Sequence, residues 1–107
     1  MATTSEIMNS LPERFQPKMA GTLKVVLQYR LTGEDGGEWF MTIDEGECVV
    51  HKGVIAEADA TIIMQAADFV GINEGTINPV DTFWGGLITI EGSVDAVFAL
   101  PSVMGWR

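Results

Sequence analysis

The sequence has only one cysteine and one histidine, which removes whole classes of chemistry. Cys48 has no partner within the chain, so an internal disulfide is excluded and a reducing, cytoplasmic setting is expected. With His51 alone, one chain cannot supply a two-histidine metal site or a proton relay between histidines. We therefore expect no metal centre and no bound cofactor.

Long apolar runs and positive charge are also scarce. No apolar stretch approaches the roughly 20 residues of a membrane-spanning helix, and the N-terminus lacks the pattern of a secretory signal. A formal net charge of -9 opposes binding to phosphate backbones and to anionic membranes, so no nucleic acid partner is expected. With 107 residues, 47% of them hydrophobic, the chain is expected to be one soluble domain covering residues 1–107.

Alternating apolar residues predict a sheet in the middle of the chain. In LKVVLQYRL, residues 23–31, every second residue faces one side, which is the pattern of a half-buried strand. A glycine-rich turn leads into EWFMTID, and Glu45-Gly46 turns the chain back into ECVVHKG. Residues 23–52 are therefore predicted to form an antiparallel meander of three strands. DATIIM and LITIEG are predicted as the fourth and fifth strands.

Helical spacing appears before and after these strands. Apolar residues recur at four-residue spacing in residues 5–16, where Ser10 followed by Glu13 has the pattern of a helix start. AADFVGINEG predicts a helix ending at Gly75. NPVDTFWGG predicts a helix of under two turns with Asn78 as its N-cap, and SVDAVFAL predicts a last helix that Pro101 ends or kinks.

This order of elements predicts an α+β domain, in which helices cover one face of a five-stranded, mainly antiparallel sheet. The outward face of the sheet is expected to mix Val26, Phe40, Val49 and Ile63 with charged residues. That is enough apolar surface for a homodimer or for a protein partner, and also small enough to be incidental.

No group of residues has the pattern of a catalytic set. GECVVHKG differs from a phosphate-binding loop, because His51 stands where the second glycine belongs and Gly53 follows the lysine. Cys48 is expected to be a small buried hydrophobe on the face of its strand opposite to His51, so the two cannot pair as nucleophile and base. The acidic turn at residues 44–47 lacks the spacing of a calcium loop. We therefore expect a protein that is not an enzyme.

Successive blocks of the chain resemble the sterol carrier protein 2 domain, also called the non-specific lipid-transfer domain. These blocks are LTGEDGGEWFMTIDEGECVVHKG, then DATIIM followed by DF, and then INPVDTFWGGLITIEG. LPERFQPKMAG is similar to the N-terminal block of small free-standing bacterial and archaeal members. The resemblance covers about Leu11 to Leu100, and the ordered series is more specific than any single block.

The resemblance implies the same α+β layout, with an apolar cavity between sheet and helices that binds fatty acids, acyl-CoA, sterols or other lipids. It carries over no catalytic residue. The residues that it implies for lipid binding lie in the second half of the chain, and they are Phe69, Ile72, Val80, Phe83, Trp84, Ile88, Ile90, Phe98, Leu100 and Met104.

Three features of this chain qualify that expectation. Leu87 stands where many members have lysine, which argues against anionic headgroups and acyl-CoA. Pro101 interrupts the closing helix, which affects the shape of the cavity. Phe83 and Trp84 are adjacent, and on a helix they point about 100° apart. One of them is expected to line the cavity, while the other packs on a neighbouring helix or guards the entrance.

Lipid binding and carriage without chemistry is therefore the expected function. A chain of about 14 methylenes that leaves water gains on the order of 11 kcal/mol, whereas one that leaves a membrane gains almost nothing. A protein that carries lipid between membranes through transient contact is therefore physically more feasible than one that holds a lipid tightly. The alternative is an accessory module that binds a protein partner or presents an apolar substrate to an enzyme. A small enzyme acting on an apolar substrate is the third hypothesis, and no residue stands out as its catalytic group.

Overall fold

The computed structural model describes residues 3–98 of the chain, except the side chains of residues 19 and 20. In chain order the elements are α1 (Thr4–Arg14), α2 (Pro17–Ala20), β1 (Val25–Thr32), β2 (Gly37–Asp44), β3 (Glu47–Lys52), β4 (Ala60–Gln65), α3 (Ala66–Glu74), α4 (Pro79–Trp84), β5 (Thr89–Gly92) and α5 (Val94–Phe98). The predicted α+β class and the predicted order of strands are confirmed. The short helix α2 was not predicted from the spacing.

The strands form one five-stranded sheet in the order β3-β2-β1-β4-β5. The pairs β1-β2, β2-β3 and β4-β5 are antiparallel, and β1-β4 is parallel. The predicted sheet, mainly antiparallel and beginning with a three-stranded meander, is therefore confirmed. β5 begins at Thr89, two residues later than predicted, because the amide of Leu87 donates to the Thr82 carbonyl and so belongs to the end of α4.

The inward face of the sheet carries the core. Alternate residues of β1 and β2 are buried in the predicted phase, with Leu27, Met41 and Ile43 fully buried. The helix α1 adds Met8 and Leu11, which are also fully buried, and it packs against β3 and α3. Burying each such side chain contributes about 1.5–3 kcal/mol, so this end of the sheet supplies much of the stability of the fold.

The first helix lies where the spacing in residues 5–16 predicted it, but Ser10 is not its N-cap. Thr3 is the N-cap: its hydroxyl accepts from the Glu6 amide at 3.1 Å, and the Glu6 carboxylate accepts from the Thr3 amide at 3.0 Å. Residues 1–16 contain this capping pattern twice, and burial of the apolar residues between the two copies selects the first. Pro12 consequently lies inside α1, and the Ser10 hydroxyl donates to the Ile7 carbonyl.

The segment between β3 and β4 crosses the outward face of the sheet and covers Gln28. This side chain points outward as predicted, yet it is only 3% exposed. Its amide nitrogen donates to the carbonyls of Trp39 (3.0 Å) and Gly53 (3.1 Å), and its oxygen accepts from the Ile55 amide (2.9 Å). Gln28 therefore fixes the crossing segment to the two central strands.

Cys48 and His51 lie on opposite faces of β3, as the alternation predicted. Cys48 is half-buried against the core, and burial raises the pKa of its thiol to about 11. His51 is exposed, and its ring lies 5.2 Å from that of Phe40 on the outward face. The thiol is thus held in its neutral form, away from the imidazole.

Replacing Gln28 with Ala is expected to lower the free energy of unfolding by about 2 to 3 kcal/mol. The substitution leaves the Ile55 amide and the Gly53 carbonyl without their partner in a covered position. Urea denaturation measures the change. The matched control is Gln65→Ala, since Gln65 is exposed and its side chain makes no hydrogen bond within residues 3–98. Equal stability of the two variants would contradict the role assigned to Gln28.

Cys48 is expected to react slowly with iodoacetamide in the folded protein. Only the thiolate reacts, and with a pKa of about 11 about one thiol in a thousand is ionised near pH 8, against roughly one in ten in the unfolded chain. Because folding raises this pKa, the neutral thiol stabilises the fold below about pH 9, and that contribution is lost as the pH rises through about 11. Comparing alkylation rates with and without urea checks this, and equal rates would disprove it.

Candidate functional site

A cavity of about 860 Å³ lies between the inward face of the sheet and the helices α3, α4 and α5. Its floor comes from β1, β4 and β5 and from the residue just before β5. The floor residues are Tyr29, Ile62, Met64, Ile88 and Ile90. Most of the surface that lines the cavity is apolar, so the space suits a hydrocarbon better than a polar solute.

The helix α3 forms one wall of the cavity. Phe69 and Ile72 face inward, and the Phe69 ring meets the Tyr29 ring edge-on at 5.7 Å. The helix ends at Gly75, whose φ of 81° is left-handed, as predicted. The chain then folds back, and the amides of Thr76 and Ile77 both donate to one carbonyl of α3. This places residues 73–78 along the edge of the cavity.

The short helix α4 forms the opposite wall, and its predicted start is confirmed. The Asn78 side-chain oxygen accepts from the amides of Val80 (2.8 Å) and Asp81 (3.1 Å), while Pro79 occupies the first turn. Thr82 is the buried residue of this helix, and its hydroxyl donates to the Asn78 carbonyl at 2.7 Å. Two glycines after residue 84 end the helix, as predicted.

The two adjacent aromatics of α4 have different positions. Phe83 is half-buried, with its ring 5.8 Å from Phe98 and 5.4 Å from Trp84, both in edge-on geometry. Trp84 is 79% exposed. Val80, one turn before Trp84, and Phe98 are also more than half exposed. Phe83 therefore lines the interior, whereas Val80, Trp84 and Phe98 form the rim.

The residues implied for lipid binding come together around this one cavity, as far as the structure describes them. Those that line it are Phe69, Ile72, Val80, Phe83, Trp84, Ile88, Ile90 and Phe98. Leu100, Met104 and the predicted break at Pro101 lie outside the described residues. Contact of any of these side chains with a lipid stays a prediction.

Several lining residues were not among those expected to bind lipid. The alternation of apolar residues places Tyr29, Ile62 and Met64 on the inward face of the sheet, as it does Met41, which is packed in the core. Ile77 and Val97 also line the cavity. Alternation identifies the inward face, but it carries no signal that separates a packed position from a cavity wall.

Apart from the Tyr29 phenol and the Trp84 indole, the polar side chains of the cavity lie at one edge, residues 73–78. Asn73, Thr76 and Asn78 lie there, and Glu74 is the one formally charged side chain among the described lining residues. On the floor, burial raises the pKa of Tyr29, so its phenol is neutral near pH 7. The described lining residues include no cysteine, histidine, lysine or arginine.

Residues 3–98 lack a metal-binding cluster and a membrane-spanning helix. Within that range no three or more His, Cys, Asp or Glu side chains gather in a way that would hold a metal ion. Over the same residues, no helix has the length and apolar character needed to cross a membrane.

The chain is similar in sequence to a known protein family and to parts of longer proteins. The model of the SCP-2 sterol transfer family matches residues 8–104. The chain is 28% identical over 100 residues to hydroxysteroid dehydrogenase-like protein 2 of Rattus norvegicus, which is 92% of this chain and 19% of that protein. The chain spans only about a fifth of the length of the curated relatives it matches.

Solved structures share the fold at low sequence identity. The solution structure of palmitated SCP2L2 from Aedes aegypti has a TM-score of 0.78 at 22% identity, covering 96% of this chain and 95% of that one. The sec-alkylsulfatase Pisa1 from a Pseudomonas species has a TM-score of 0.82 at 15% identity, covering 96% of this chain and 16% of that one. Because the family model matches residues 8–104 and every described cavity-lining residue lies within that range, the chain belongs to the SCP-2 sterol transfer family.

Proposed function

We propose that this protein binds a lipid, or another apolar small molecule, in the cavity and carries or presents it without chemistry of its own. The observation that carries the proposal is the cavity itself, which has a volume of about 860 Å³ and is lined mainly by apolar side chains. Family membership and the palmitated Aedes aegypti relative support it. We further propose that residues 1–107 act as a single domain, and the lone free thiol suits the cytoplasm.

The size of the cavity favours an occupant. The cavity opens to solvent at its rim, so its apolar wall does not stay dry when no ligand is bound. The space therefore holds either water against an apolar wall or a ligand. Exchanging that water for a hydrocarbon chain gains about 0.8 kcal/mol for each methylene buried.

The rim of the cavity provides a route of exchange. Val80, Trp84 and Phe98 are exposed and apolar, and tryptophan favours the boundary between lipid and water. We propose that transient membrane contact at this rim lets a lipid pass between bilayer and cavity without crossing water. A chain that moves from one apolar environment to another changes its free energy little, so exchange is fast compared with release into water.

Presentation of an apolar substrate to an enzyme is the second candidate function. The matched region is 19% of the rat dehydrogenase-like protein and 16% of the Pseudomonas sulfatase, so in both proteins this fold is joined to a longer chain. A partner could also dock on the outward face, where Val49 is exposed although Gln28 is covered by the crossing segment. A carrier moves lipid between vesicles by itself, whereas a presenting module needs its partner.

Truncating the aromatics of α4 is expected to weaken uptake of a fluorescent fatty acid. Phe83→Ala removes interior apolar surface and should raise the Kd about tenfold, equivalent to about 1.4 kcal/mol. Trp84→Ala, at the rim, should raise it less, by about threefold. Phe40→Ala on the outward face is the control and should bind like the parent. If all three variants match the parent, the cavity is not the binding site.

Gently purified protein is expected to carry a lipid that native mass spectrometry detects and lipid extraction identifies. Binding to the folded state alone adds about 2.7 kcal/mol at a ligand concentration 100 times the Kd. Re-adding the extracted lipid to stripped protein should therefore raise the Tm by roughly 10 °C. A protein that neither retains nor accepts any lipid would refute the carrier hypothesis and leave the partner-binding module.

A further inference from the structure

The α4 segment, residues 78–87, consists of α4 and the turn that follows it, and its hydrogen bonds are internal. The Asn78 side chain and carbonyl accept from the first turn of α4. The amides of Gly85, Gly86 and Leu87 donate to carbonyls of the same helix. Within residues 3–98, no hydrogen bond or salt bridge joins this segment to another part of the chain. The α4 segment is therefore one bonded unit.

The chain is fixed to the rest of the fold immediately before and immediately after the α4 segment. Before it, the Ile77 amide donates to the carbonyl of Gly71 in α3 at 3.2 Å. After it, Thr89 at the start of β5 pairs with Ile63 of β4. The α4 segment is thus held at two points, and its internal hydrogen bonds stay intact when it turns about them.

The side chains of the α4 segment bury little surface against the fold. Thr82 is the buried residue of α4, and it is not among the described residues that line the cavity. The Phe83 ring meets the Phe98 ring of α5 at 5.8 Å. Val80 and Trp84 are more than half exposed. A part of a protein with few buried side chains and no hydrogen bonds to its described neighbours opens at a lower free energy than the packed core does.

The position of the α4 segment lets such an opening widen the cavity. Pro79, Val80, Phe83 and Trp84 all line the cavity, and the contact between the Phe83 and Phe98 rings joins α4 to α5. Outward rotation of the segment separates these two rings. It breaks no hydrogen bond to any other part of residues 3–98, so the sheet and the remaining helices keep their structure.

We propose that the α4 segment is a lid that turns outward about its two attachment points to let a lipid enter and leave the cavity, and that burial of Thr82 holds it closed. The role of the lid rests on the proposed function, because it requires a lipid that passes through the opening. Since entry and exit both need the open position, the lid controls the rates of uptake and release and leaves the Kd nearly unchanged.

NMR relaxation dispersion of the ligand-free protein tests the motion. Residues 78–87 should exchange between two positions on the μs–ms timescale with one common rate, because the α4 segment moves as a unit. The strands β1 and β2 should show no such exchange. Absence of exchange in the segment, or a different rate for each of its residues, would overturn the proposal.

The variant Thr82→Ser tests what holds the lid closed. It removes one buried methyl group and keeps the hydroxyl that donates to the Asn78 carbonyl. Loss of one buried methyl should make the open position about fourfold more populated. Stopped-flow uptake and release of a fluorescent fatty acid should therefore both become about fourfold faster, with the Kd within about twofold of the parent. Thr4→Ser is the matched control, because Thr4 is also buried but lies in α1, and both rates should stay as in the parent.

Two kinetic results would contradict the lid. Faster release with unchanged uptake would mean that Thr82 acts on the bound state alone, and parental rates in Thr82→Ser would mean that its burial does not hold the segment. A parent protein that takes up no fatty acid would instead refute the proposed function. Relaxation dispersion needs no ligand, so the two failures are distinguishable.

Discussion

The parallel pairing of β1 with β4 constrains the rest of the molecule. A parallel neighbour cannot be reached by a tight turn, so the chain must cross a face of the sheet after β3. It crosses the outward face, where Gln28 and the paired hydrogen bonds between Asp59 and Val26 hold it. The inward face is thereby left free for the helices, and β5 is added beyond β4 at the edge opposite to β3.

This arrangement divides the inward face into two parts. On the side of the sheet near α1, the inward side chains of β1 and β2 form the core, with Met41 and Ile43 fully buried. Beneath the three later helices, β4 and the approach to β5 form the floor of a cavity. The Tyr29 and Phe69 rings meet at the boundary. The packed core near α1 stabilises the fold, and the cavity under the later helices can therefore remain unfilled by protein side chains.

Much of this could be predicted from local pattern, and the failures have physical causes. Which face of each strand is buried, and the helix cap at Asn78, depend on residues that are neighbours in the sequence. The start of α1 does not, because two capping patterns compete and burial of Met8 decides between them. The cover over Gln28 comes from residues 25 positions or more away. The different positions of Phe83 and Trp84 depend on how α4 is rotated, which the burial of Thr82 sets.

The helix α4 has one buried residue, Thr82, and it lies between Gly75, which ends α3, and Gly85-Gly86, which end α4 itself. Its other side chains face the cavity or the solvent and add little to the packed core. Substitutions of these side chains therefore lower the free energy of unfolding less than substitutions at most positions of a small domain. Across evolution, ligand preference can therefore change through this helix while the sheet and α1 stay as they are.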